Sequence, residues 1–200
     1  ATVGHGLGVA PSLIIVKCRS DGSTDWPVFH TSIGKDNRIY LSNTSASSAG
    51  ANWNNTAPTS SVFSVGTNPD TNGSSRTYVA YCFAPVAGYS AYGSYTGNGS
   101  ADGPFIFTNF RPKLLLIKSS TTVRDWVLYD TSRSTYNTAT ARLVPNSSSA
   151  EGTSANIDIL SNGFKIRSGS GSGFEELNES GATIVYAAWA ENPFQSSRAR

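Results

Sequence analysis

The chain has no methionine, two histidines and two cysteines among its 200 residues, and only 14% of it is charged. These shortages remove whole classes of function. The basic residues are scattered apart from Arg198 and Arg200 at the tail, and the net charge is +2. No stripe follows a phosphate backbone, so nucleic acid is not an expected partner. Cys18 and Cys82 form no C-x-x-C, and no Cys/His cluster stands ready for a transition metal. They lie in separate apolar segments, which leaves a disulfide and two buried free thiols both open. No apolar run reaches membrane-spanning length, so no membrane insertion is expected. The opening ATVGHGLGVAPSLIIVK lacks the basic start and long apolar centre of a signal peptide. The missing initiator methionine reads as a fragment or a processed product.

Catalytic constellations are equally thin. His5 and His30 are far apart, and no G-x-S-x-G elbow supports a serine nucleophile. Glu175, Glu176 and Glu179 cluster, and Asp158 lies near Glu151, but no carboxylate pair is singled out as flanking a glycosidic bond. No catalytic residue is assigned, and the expectation is a non-enzyme.

What the chain does have is 19 glycines, 11% aromatics and much Ser, Thr and Asn. Short β-branched or aromatic runs alternate with Gly, Asn, Asp, Ser and Pro, the pattern of a sandwich or barrel. Strands are expected at Leu13–Lys17, Trp26–His30, Arg38–Leu41, Val62–Val65 and Thr77–Ala84 in the first half. The second half gives Leu114–Lys118, Trp126–Tyr129, Thr140–Val144, Phe164–Arg167 and Thr183–Ala190. Only Asp130–Asn137 and the extreme C-terminus read as possible turns of helix.

The two series repeat one another. PSLIIVK from Pro11 answers PKLLLIK from Pro112, an offset of 101 residues, and DWPVFHTS from Asp25 answers DWVLYDTS from Asp125, an offset of 100. Phe63 and Val65 answer Phe164 and Ile166, and TYVAYCFA resembles IVYAAWA. The expected fold is therefore all-β: two tandem antiparallel β-sandwich repeats, jelly-roll or concanavalin-like. Residues 1–93 make the first repeat and 94–200 the second, joined through Gly88–Pro104. Thr77–Phe83 reads as a central strand, and Lys17, Lys118 and Arg142 as charges that guard sheet edges.

GSYTGNGSADGPF, at Gly93–Phe105, fails as a dinucleotide loop, because the third glycine position holds Asp102 and no helix follows. Against the chain's own start it reads as the leading strand and turn of the second copy. The first copy has no such segment, so its edge is expected to be filled by a preceding segment or a neighbouring chain.

Candidate sites lie in the divergent loops. In ANWNNT, Trp53 could stack on a sugar ring with amides from Asn52, Asn54 and Asn55 beside it, or simply pack its loop. Tyr89, Tyr92 and Tyr95 recur at every third residue, with Tyr92 the ligand candidate. Asn98 and Asp102 offer oxygens for a Ca2+ ion, although Asn/Asp-Gly pairs are first of all turn formers.

In combination, GHGLGVAPSLIIVK, NNTAPTSSVFSVGT, TYVAYCFAPVAGYSAYGSYTGNGSADGPF and FRPKLLLIK resemble a repeat module of phage tail-fibre and other virion proteins. DWVLYDTSRSTYN, LSNGFKIR and VYAAWAENPF continue the likeness. The resemblance implies a non-enzymatic structural module, virion-borne or extracellular, that assembles or attaches to a host surface. Its implied partners are copies of itself, neighbouring virion chains or a host-surface glycan. The alternative is a carbohydrate-binding module of a secreted protein.

Overall fold

The computed structural model describes residues 1–153, 156–167 and 175–192, without the side chains of Glu175 and Glu176. The tail Arg198–Arg200 and those two glutamate side chains lie outside the described residues. The architecture is all-β, in several antiparallel sheets, none of them closed. The chain divides into two compact units, Ala1–Ala84 and Pro85–Arg200. The boundary expected between residues 93 and 94 would have cut a strand that belongs whole to the second unit.

The first unit contains β1 (Thr2–Gly4), β2 (Leu13–Cys18), β3 (Pro27–His30), β4 (Asn37–Tyr40), β5 (Ser48–Ala49), β6 (Val62–Ser64) and β7 (Tyr78–Phe83). A 3-10 turn at Ala51–Trp53 and a single helical turn, α1 (Pro69–Asn72), interrupt them. The second unit contains β8 (Ser90–Thr96), β9 (Phe105–Phe107), β10 (Pro112–Ser119), β11 (Trp126–Asp130), β12 (Arg142–Leu143), β13 (Ile157–Leu160) and β14 (Gly163–Ile166). It ends with α2 (Glu175–Asn178) and β15 (Thr183–Ala190). No helix forms at Asp130–Asn137; a turn starts there instead, closed by Arg133 and Ser134 N–H groups on the Asp130 carbonyl.

The repetition is visible in the sheet order. The first unit's large sheet runs β5-β4-β3-β2-β7, and the second's runs β12-β11-β10-β15-β8. β4-β3-β2-β7 therefore matches β12-β11-β10-β15. The smaller sheets are β1-β6 and β13-β14-β9. Pairing fixes the match residue by residue: Val3 stands opposite Phe63, as Ile106 stands opposite Phe164.

Alternation along these strands decides the core. Ile14 and Val16 of β2 turn to one face and bury with Phe29, Trp53, Phe63 and Val65. Leu115 and Ile117 of β10 do the same with Val127, Tyr129, Ile157, Phe164 and Ile184, so both sheets of the second unit feed one buried cluster. The matched apolar blocks are core residues because a period of two puts them on one face of each strand. Both cysteines are free.

Two expectations about edges are corrected. β2 lies between β3 and β7, and β10 between β11 and β15, so Lys17 and Lys118 sit on interior strands and guard no edge. Arg142 does lie on the edge strand β12. β7, expected to be central, is itself an edge, with Ala80 and Tyr81 exposed. Only its counterpart β15 is central, because β8 pairs along its far side.

The two lysines differ in a measurable way. Lys17 is half-buried and donates to the Thr24 carbonyl at 2.5 Å. Lys118 is fully buried and donates to the Ser119 carbonyl at 2.8 Å. Desolvation pulls its pKa from 10.5 down to about 8, more than Asp125 raises it. In the window from about 8 to 10.5 the unfolded chain holds this proton and the folded chain does not. Stability from this group therefore rises with pH across that window, by up to about 3 kcal/mol, and is level below it. Urea denaturation at pH 8 and pH 10 should register the rise in the parent and a smaller one in Lys118→Met. An equal pH response in both chains would refute the assignment.

Candidate functional site

The residues singled out from sequence fall into places their local composition did not announce. Trp53 is 1% exposed. It closes the 3-10 turn with its ring edge-on to Phe29, centroids 5.9 Å apart. It is not a sugar-stacking ring, because no face is open to a ligand. Asn54 and Asn55 are exposed, but their φ values of 52° and 46° give the reason for both amides. Left-handed backbone favours Asn over other non-glycine residues, so the pair turns the chain out of the buried turn. Asn52 is fully buried, and its side-chain amide makes no hydrogen bond.

The tyrosines do not form one ladder. A spacing of three on a strand puts neighbours on opposite faces. Tyr95 donates to the Leu177 carbonyl at 2.8 Å and packs edge-on to Phe164. Burial pushes its phenol well up, and Tyr92 shifts the same way for the same cause. Tyr92 lies on the other face, half-buried and edge-on to Trp189 at 5.9 Å.

The proposed calcium loop is occupied by protein. Asn98 Oδ1 accepts from Ser100 N at 3.0 Å and from Asn178 Nδ2 at 2.9 Å. Asn178 is 1% exposed, and its own Oδ1 accepts the Asn98 N–H. Asp102 is paired with Lys165 at 2.9 Å and stands 3.7 Å from Arg167. The hydrogen bond from Lys165 and its charge hold the Asp102 carboxyl below the usual carboxylate range. With Asn98 Oδ1 engaged twice and Asp102 facing two cations, the loop makes no seat for Ca2+. Among the described residues no three of His, Cys, Asp and Glu gather as metal ligands. Sequence reading did not single out Asn178, the buried residue that pins this loop.

The repeat-matched polar residues are turn chemistry. His30 Nδ1 accepts the N–H of Ser32 at 3.1 Å, and Asp130 Oδ1, at the same repeat position, accepts that of Ser132 at 2.8 Å. The His/Asp exchange is thus one job done by two acceptors. Asp25 and Asp125 bind side chains rather than backbone: Ser42 at 2.6 Å in one unit, Asn146 at 2.6 Å in the other.

One surface does stand apart. On β9, Ile106 turns inward while Phe105 and Phe107 point outward, 45% and 59% exposed. Phe105 lies opposite Lys165 and Phe107 opposite Gly163. Asp158 and Leu160 follow on the same face, across from Lys165 and Gly163. The result is an aromatic shelf bordered by Lys165, Arg167, Asp102 and Asp158, whose charges pair with one another. The first unit has Thr2 and Gly4 at the matching places. The scaffold repeats and the shelf does not. Exposed aromatic rings beside hydrogen-bonding groups are a feature common in interaction surfaces.

No helix among the described residues is long and apolar enough to cross a membrane. No curated protein and no solved structure matches the chain. A family model does match over residues 1–193, spanning both units. The chain belongs to that family, the domain of unknown function DUF7483.

Proposed function

We propose that this chain is a non-enzymatic virion module of the tail-fibre type, built as two tandem β-sandwiches and working by surface contact. The observation that carries the reading is the shelf of Phe105 and Phe107. A duplicated scaffold has kept its core and placed two exposed aromatic rings on one copy alone. Core positions hold a fold, whereas a copy-specific exposed aromatic pair is an expense in solubility that recognition explains. The resemblance to phage repeat modules supplies the setting, at the outer face of a particle. A second reading, a carbohydrate-binding module, is favoured by the same shelf, since sugar rings stack on aromatic faces and the bordering charges can bond hydroxyls.

The test uses the labelled chain against host cells and a glycan array. Changing Phe105 and Phe107 together to alanine should weaken binding at least about tenfold, as for central aromatic anchors. Val123→Ala, at another exposed position, should leave it unchanged. Equal binding by the double variant would remove the shelf from the site. Polysaccharide cleavage lost on mutation of one carboxylate would overturn the non-enzymatic reading.

A further inference from the structure

We propose that the free edge of β7 is a docking site for an antiparallel strand of the Ser90–Thr96 type, donated by a neighbouring module. The second unit supplies the template. β15 pairs with β10 on one side and with β8 on the other. β7 pairs with β2 alone, and no second strand pairs with it among the described residues. Leu13 faces Phe83 as Leu114 faces Trp189, so Tyr78, Ala80 and Cys82 stand where Ile184, Tyr186 and Ala188 meet β8.

The backbone phase agrees. Arg19 N–H donates to the Thr77 carbonyl, as Ser120 N–H does to that of Thr183. In an antiparallel ladder the residues between such points turn their N–H and C=O the other way. On β15 they meet β8, as the flanking bonds from Gly97 to Ala182 and from Ala190 to Tyr89 require. On β7 the same groups of Tyr78, Ala80 and Cys82 face outward. The strand carries no charge, proline or bulge, the devices that protect an edge, and Tyr81 is 47% exposed.

A second feature marks the same place. In the second unit Asn178, last residue of α2, clasps the loop that follows β8 through Asn98 and the Ser100 carbonyl. Asn72, last residue of α1, stands six residues before Tyr78, as Asn178, last residue of α2, stands six before the matching Ile184. It is exposed, and its side chain makes one hydrogen bond, from Nδ2 to the Gly66 carbonyl. It is placed to clasp the loop after an incoming strand.

The occupant's side chains are also constrained. A Cβ on Gly93 would stand 2.8 Å from the hydroxyl of the buried Tyr186, so any side chain there on β8 would have to displace that ring. Ala80 takes the place of Tyr186, which leaves room for a larger residue opposite it. The docked strand is uncharged, with small or aromatic residues on its inner face, and it tolerates more than glycine at the central position. This site requires nothing of Phe105 or Phe107.

The experiment adds a synthetic peptide of residues 88–97 to the full chain and reads amide hydrogen exchange on β7. At a peptide concentration ten times its Kd, the amides of Tyr78, Ala80 and Cys82 should exchange about tenfold more slowly. The peptide with valine for Gly93 should protect at least as well. Ala80→Pro removes only an outward N–H, and Ala80→Lys adds an edge charge. Each should abolish protection while circular dichroism stays that of the parent, and either one folding correctly suffices for the comparison. Unchanged exchange under saturating peptide would overturn the proposal. So would protection that appears without peptide as the chain is concentrated, since β7 would then pair with β7 of a second copy.

Discussion

Trp53→Ala is expected to cost about 3–5 kcal/mol of folding stability, the range for emptying a buried aromatic site. The indole is 1% exposed and packs with Ile14, Val16, Phe29, Phe63 and Val65. Those neighbours come from three strands and the segment after β6, so no single shift can fill the space. The ring also anchors the 3-10 turn: Gly66 N–H donates to the Asn52 carbonyl and Thr56 N–H to that of Trp53. Trp53→Phe should cost markedly less. It keeps much of the ring volume and removes an indole N–H that is buried without an acceptor. Urea denaturation followed by circular dichroism orders the three chains as parent, Phe, Ala. If Trp53→Ala left the midpoint unchanged, the ring would have to be a surface group, and the sugar-stacking assignment would return.

That residue also marks how much was legible in the sequence. Most strands and the duplication could be read, because PSLIIVK and PKLLLIK place identical or similar residues at core positions of β2 and β10. Periodicity reports which face a residue takes, and packing on that face is what a repeat retains. Lateral position in a sheet is a different matter. Tyr78–Phe83 has the composition of a central strand, yet whether it is one depends on β8, a separate segment that joins β15 instead. The site loops failed for a related reason. Asn98 and Asp102 look ready for a cation when read locally, but their partners are Lys165, Arg167 and Asn178, more than sixty residues along. Trp53 between amides reads as a packed loop ahead of a sugar platform, and its burial, with the positive φ of Asn54 and Asn55, decides for the packed loop. The Phe shelf was overlooked because Phe-Ile-Phe has strand composition, and alternation alone does not say which side meets solvent.

The shelf's construction leads to the second large effect. Gly163 is expected to be intolerant of any side chain, because a Cβ there falls far inside van der Waals contact with the Ile106 carbonyl of β9. Phe107 stands directly opposite Gly163. In the first unit the matching pair is reversed: Gly4 on β1 faces Val62 on β6. Each copy thus sets one glycine against one larger residue across the same pair of strands, with the large member on opposite strands. Gly163→Val should push β9 away from β14 and cost about 1–3 kcal/mol or more, the range for overpacking. Phe107→Gly removes an exposed ring and should cost less, mainly through backbone entropy. The combination recreates the first unit's pair, so β9 can settle again and part of the loss should return. A double-mutant cycle is expected to give a favourable coupling on the order of 1 kcal/mol between contacting residues. Strict additivity would mean that the two copies reached their glycine pairs independently, and that Phe107 is present for the shelf alone. A recovered fold with lost surface binding would separate the two roles of this strand, since the scaffold would then stand without its aromatic face.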